Sequence, residues 1–257
     1  MMNFVAKVGR AAIDGGGNAR ELGSLLLKVT QALGRLERPE MFRQAFALAN
    51  SSIFFIVVIM GFTGAILVVQ ACMQGQRVIG DLGIIGPGFL QLMVREFGPT
   101  IVAFMIAARY GAGVAAELGA MTITEQVDAL RMAGADPVGY LVAPRVTGGL
   151  MGMLPIVVLG TGVAFLTGYV AAHYGFGVGR DTYFRMNLVE YGDVVIAVAK
   201  SLAYGIAIPL VSCRAGLSAF GGAPGVGKAT TRAVIGSCIT VLLLDVVIGG
   251  IGYLVFW

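Results

Sequence analysis

Residues 221–231 read GGAPGVGKATT, and Gly222 to Lys228 match most of the glycine-rich pattern that cradles a nucleotide phosphate. That chemistry needs a hydroxyl directly after the lysine to hold magnesium, and Ala229 stands there. It also needs a strand before the loop and a helix after it. A second set of candidates is charged: Arg95, Glu96, Lys200 and Asp245 each sit in otherwise apolar stretches. An ionisable residue at membrane depth marks a solute pathway or a paired structural charge. Metal chemistry has little footing, because Cys72, Cys213 and Cys238 lack ligand spacing and His173 has no partner near it in sequence. The cysteines read as small apolar residues and His173 as an interfacial polar cap.

The elements that must position these groups follow from composition. The 257 residues are 57% hydrophobic and 12% charged, against about 25% charged in soluble domains, and mean hydropathy is +0.86. Five stretches reach the roughly 20 residues that cross a bilayer core: about 53–72, 87–108, 146–172, 194–213 and 233–257. Glycine and proline recur in them, as packed membrane helices tolerate, and nothing alternates as barrel strands would. Gly148 and Gly152 form a G-x-x-x-G pair suited to close helix contact. The start of the chain does not read as a signal peptide, since no apolar core follows Lys7 and Arg10.

The basic residues set orientation. With the N-terminus inside, Lys7, Arg10, Arg20, Lys28, Arg35, Arg38, Arg43, Arg109, Arg131, Arg145, Arg214, Lys228 and Arg232 fall on the inner face, and Arg77, Arg95, Arg180 and Arg185 outside. The C-terminus is then outside, anchored by Tyr253 and Trp257. Before the first span, Leu22, Leu25, Leu26, Val29, Leu33 and Leu36 share one helical face between Gly15–Gly17 and Pro39. That helix either lies along the inner membrane surface or packs on another protein helix.

Charge returns on the inner side in AELGAMTITEQVDALRMAGADPVGYLVAPRV, residues 116–146. Thr122 with Glu125 fits a capping box for a short helix of about 122–134, with Ile123, Val127 and Leu130 on one face. Gly134 stops it, and Asp136 with Pro137 starts the next helix. Such a helix either rests its apolar face on lipid or enters a groove in a partner.

The stretch from Ala116 to Arg145 carries a resemblance, supported by RPEMFRQ at 38–44, REFGP at 95–99 and GVGKATTRAV at 225–234. In these segments the chain resembles the MlaE permeases, membrane subunits of ABC-type lipid transporters that work with MCE-domain proteins. The resemblance implies an all-α integral membrane protein: an interfacial helix within a cytoplasmic segment 1–46, then a permease domain 47–257 with five transmembrane helices and a cytoplasmic coupling helix. It implies a homodimer in a bacterial inner membrane, with a cytoplasmic ABC ATPase that holds the ATP and magnesium, a periplasmic MCE protein and membrane lipids as partners. No catalytic residue, cofactor or nucleic acid is expected on this chain. Carried onto this sequence, the family pattern makes Glu117, Met121, Thr124, Glu125, Gln126, Asp128 and Leu130 the ATPase-coupling residues. Its lipid cavity opens near REFGP, which makes Arg95, Glu96 and Lys200 the candidates for a lipid path.

Within the spans, Glu96 is expected to offset Arg95 or Lys200 in the outer half, while Asp245 faces a dimer partner or bonds backbone carbonyls. The GGAPGVGKATT stretch reads as a connector that makes a tight inner turn, with Thr230 or Thr231 capping the last helix. A gradient-driven transporter would show paired repeats, and none is visible; a membrane scaffold that moves nothing is the remaining alternative.

Overall fold

In hydrocarbon every backbone N–H and C=O must bond within its own segment, so the apolar runs fold as helices. The computed structural model describes residues 21–32, 38–78 and 82–256. It is all-helical, with no strand among those residues. Helix α1 covers 21–32. The long helices are α2 (Arg38–Val78), α3 (Ile85–Ile123), α5 (Val138–Phe176), α7 (Tyr191–Leu217) and α8 (Ala223–Phe256); α4 (Gln126–Met132) and α6 (Arg180–Tyr183) are short. The five long ones are each long and apolar enough to cross a membrane.

The helices contain the five apolar stretches but run well past them. The 41 residues of α2 span about 60 Å at 1.5 Å per residue, twice a hydrocarbon core of about 30 Å. Hydropathy marks only the part a lipid would touch, whereas helical hydrogen bonding continues through residue 46 at one end and through Arg77 at the other. For the same reason α3 runs on past residue 108 to Ile123, into the stretch where charge returns.

Helix α3 is central: its middle packs against α2, α5, α7 and α8. It is not a uniform α-helix. Pro99 has no N–H to offer the carbonyl four residues back, and the turn at Met93–Phe97 widens to π geometry, with the Gly98 N–H bonding Met93 O. A second π turn covers Ala107–Gly111. Helix α1 lays Val29, with Leu22, Leu25 and Ala32, on the core, so it packs on its own chain; Leu26 and Leu27 point away. Lys7, Arg10, Arg20, Gly15–Gly17, Leu33, Arg35, Leu36 and Trp257 lie outside the described residues.

Small residues let the long helices approach. A Cβ at Gly148 would stand 2.5 Å from Gln44 Cβ, and one at Gly152 would stand 3.2 Å from Ala45 O, so the G-x-x-x-G pair is the seat of α2 on α5. Farther along the same crossing, a Cβ on Gly64 would overlap the carbonyl of Ala164. Backbone cannot move aside as a flexible side chain can. Gly64→Leu is expected to destabilise by about 1–3 kcal/mol or more, read as a lowered unfolding midpoint in detergent. Gly113→Ala, where a Cβ meets nothing within 4 Å, is expected to leave the midpoint unchanged or raise it.

Candidate functional site

Five ionisable side chains from three helices form one cluster, which runs from Asp193 at the start of α7 to Lys200, roughly 10 Å deeper by the count of helical residues. Lys200 of α7 is fully buried, and its ammonium contacts Asp245 Oδ1 of α8 at 2.8 Å and Glu96 Oε2 of α3. Arg95 Nε lies 3.4 Å from the other oxygen of Glu96, and its Nη1 lies 3.7 Å from Asp193 Oδ1. Asp193 is also fully buried and accepts from Gln91 Nε2 at 3.1 Å and from the Glu190 N–H at 3.0 Å. The π turn at Met93–Phe97 helps to bring Arg95 and Glu96 to one side, because an extra residue per turn narrows the angle between neighbours.

Removing an ion from water costs several kcal/mol even after relaxation. One contact at 4 Å returns about 4 kcal/mol at an intermediate dielectric. A single carboxylate would leave Lys200 near break-even, and two make its burial favourable. Asp245 is the second. Its Oδ1 also accepts from Tyr204 OH at 2.7 Å and Thr100 Oγ1 at 3.0 Å. The expectation that Asp245 bonds backbone carbonyls is therefore corrected: a carboxylate only accepts, and its partners are donors on α3 and α7. Glu96 contacts both of the cations proposed for it, and it remains the most open member, with 36% of its side chain exposed. Leu92 and Phe97, near it on α3, and Val246, about one turn before the Gly249 position that faces Glu96 on α8, leave apolar surface uncovered.

Asp193, Thr100, Tyr204 and Gln91 complete the cluster and were not singled out in the sequence. For Asp193 a signal existed: Glu190 and Asp193 make a reciprocal capping box at the start of α7, and a helix start three residues before a predicted span places its acid inside.

At the opposite end, α3 turns into α4 by a different route from the one the sequence suggested. Thr122 and Glu125 form no capping box. Thr122 Oγ1 bonds Leu118 O and Thr124 Oγ1 bonds Ala120 O, both inside or closing α3, and Glu125 takes a left-handed conformation at φ 61° with no side-chain cap bond. Hydroxyls within a continuing helix satisfy themselves on the preceding turn, so α4 starts only at Gln126. Val127 is buried and Leu130 half-buried, while Thr124, Glu125, Gln126 and Asp128 face outward, Asp128 pairing with Arg131 at 2.7 Å. Gly134 ends the turn at φ 78°, and the Asp136 carboxylate accepts from the N–H groups of Val138 and Gly139 as a cap. Glu117 and Met121 belong to α3; with Arg145 and Tyr140 they line a cleft of about 590 Å³. Arg145 is almost wholly buried and bonds Glu117 at 2.9 Å.

The GGAPGVGKATT stretch follows a helix, as expected, and its turn needs Gly221 at φ 86° and Gly222 at φ 77°. Thr230 and Thr231 are not caps. Both hydroxyls bond Gly227 O within α8, which already starts at Ala223. No group of metal-ligating side chains occurs among the described residues.

Residues 41–251 match the family model described as Permease MlaE. A probable ABC transporter permease protein of Rickettsia felis is 32% identical over 96% of this chain and 97% of its own length. One from Synechocystis sp. is 34% identical over 86% of this chain and 84% of its own. The chloroplastic protein TRIGALACTOSYLDIACYLGLYCEROL 1 of Arabidopsis thaliana is 36% identical over 60% of this chain and 45% of its own. The chain belongs to the MlaE permease family and is a non-catalytic ABC transporter permease subunit that implies a partner ATPase.

Proposed function

We propose that this permease moves lipid, specifically phospholipid, between a bacterial inner membrane and a periplasmic MCE-protein ring, as a homodimer driven by a separate cytoplasmic ATPase. The observation that carries the reading is the charge cluster of α3, α7 and α8, open at Glu96 and bordered by uncovered apolar side chains. An amphiphile needs that pairing, polar groups for its head beside apolar surface for its chains. The name of the Arabidopsis relative contains a glycosylated diacylglycerol, which agrees with an acyl cargo.

In this reading Arg95, Glu96 and Lys200 border the lipid path, and the α4 end is cytoplasmic, with the segment to residue 46 beside it. The N-terminus is then inside and the C-terminus periplasmic. Helix α4 and its approach, from Glu117 to Leu130, form the ATPase-coupling element. Its outward polar side chains, Glu125, Gln126 and Asp128, suit a groove in a soluble partner.

With ATPase and MCE partner reconstituted in vesicles, Glu96→Gln is expected to cut ATP-dependent lipid transfer at least about tenfold, equivalent to 1.4 kcal/mol, while ATPase co-purification stays normal. Lys200→Met leaves two carboxylates facing each other and is expected to lower stability by about 3–5 kcal/mol. Adding Asp245→Asn should recover much of that loss without recovering transfer. Full transfer by Glu96→Gln and by the stable double variant would remove the cluster from the lipid path. At the other end, Asp128→Arg places like charges on α4 beside Arg131 and is expected to weaken ATPase co-purification at least about fivefold, roughly 1 kcal/mol. The α3–α7–α8 cluster should be untouched, so unchanged co-purification would sink the coupling role.

A further inference from the structure

The stretch that resembles a nucleotide loop has a second reading that neither transport nor coupling uses. The end of α7 and the start of α8 diverge from their tight Gly221–Gly222 turn and leave a cleft of about 790 Å³. Arg214, Ser218, Lys228, Thr231 and Arg232 line it with polar groups, and Val211 and Ile235 form its apolar floor. Just beyond, a Cβ on Gly236 would lie 3.1 Å from Val211, so the helices close there.

Three cationic side chains share this space with one acid. Glu21 of α1 accepts from Arg214 through Oε2, at 2.9 Å from Nε and 2.6 Å from Nη2. Neither Lys228 nor Arg232 makes an ion pair among the described residues, and both are exposed. Such a cluster is poised for an anion. Its level in the bundle tells which kind. After Arg232 the only charged residue of α8 is Asp245, so Lys228 and Arg232 stand where the apolar span begins, at headgroup height. One turn deeper the exposed face of α8 is aliphatic, with Ile235, Ile239, Leu242 and Leu243 uncovered. A free phosphate or a nucleotide has no use for that face, whereas acyl chains do.

We propose that the α7–α8 cleft binds the phosphate of an anionic phospholipid, phosphatidylglycerol or a close relative, with its chains lying along the exposed face of α8. Basic pockets between membrane helices recognise such headgroups by charge. Lys228 and Arg232 supply the unpaired cations, Ser218 and Thr231 border the head, and Arg214 links the occupied cleft to α1 through Glu21. The site is separate from the α3–α7–α8 cluster and requires only that the chain spans a bilayer, so it is tested with neither ATPase nor transport.

The test is native mass spectrometry of the full chain, purified in detergent and supplied with equal phosphatidylglycerol and phosphatidylcholine. The wild type is expected to retain phosphatidylglycerol preferentially. Each cation contributes about fivefold, so Lys228→Ala with Arg232→Ala should lower that preference about 25-fold. Lys228→Arg with Arg232→Lys should keep it. A Cβ on Gly227 meets nothing within 4 Å and Gly227 lines the cleft, so Gly227→Leu should fill the space and abolish the preference with every charge in place. Arg77→Ala, at the opposite end, should change nothing. The proposal is overturned if the wild type shows no preference, or if the alanine pair retains it. It also falls if inorganic phosphate displaces the lipid completely at equal concentration, which would make this a phosphate site. Loss of a second copy from the same spectra in the alanine pair, with lipid retention intact, would identify a protein contact instead and overturn it equally.

Discussion

A full positive charge at Lys200, in a place that water does not reach, is the constraint on which the rest of the bundle depends. It forces α3 and α8 to present carboxylates to α7 at one level, and it fixes their rotation about their own axes as no apolar contact could. Apolar packing between membrane helices tolerates sliding, since lipid tails are as good a neighbour as leucine. A buried ammonium does not. Around it the hydroxyls of Thr100 and Tyr204 add donors to Asp245 Oδ1, and the amide of Gln91 adds one to Asp193 Oδ2.

The other half of the molecule is held by closeness. Where α2 crosses α5, glycines bring backbone within reach of backbone, and dispersion rather than charge sets the geometry. Close backbone contact also seats α5 on α7 at Gly149 and Gly205 and α7 on α3 at Gly216, so in α3, α7 and α8 the polar lock adds to close packing rather than replacing it. Helix α3 touches α2 and α5 as well as α7 and α8, and its two π turns fall where its side chains must serve both sets of neighbours.

Much of this architecture was legible in the sequence because hydropathy and charge placement act locally. Five spans, the amphipathic stripe of α1 and the candidate pairing of Glu96 with Arg95 or Lys200 all follow from residue type and spacing. What escaped depends on distance along the chain. Asp245 stands 145 residues from Thr100, and no local pattern announces that they meet. The capping-box reading of Thr122 and Glu125 failed because the same residue types serve inside a helix, where a hydroxyl folds back on the preceding turn. Hydropathy likewise located the membrane portion of each helix but not its ends, which are set by hydrogen bonding and by glycines such as Gly134 and Gly177 at positive φ.

Glu125 is the one described non-glycine residue with positive φ. Holding a side chain there costs about 1–2 kcal/mol, and burying Val127 two residues later returns about 1.5–3 kcal/mol. The two are close in size. Were Glu125 to relax into the right-handed region, α3 and α4 would merge into a single straight rod and carry Val127 out of its socket. The bend is thus held by a narrow surplus, supplied by Val127 and by Leu130, which also packs on the core.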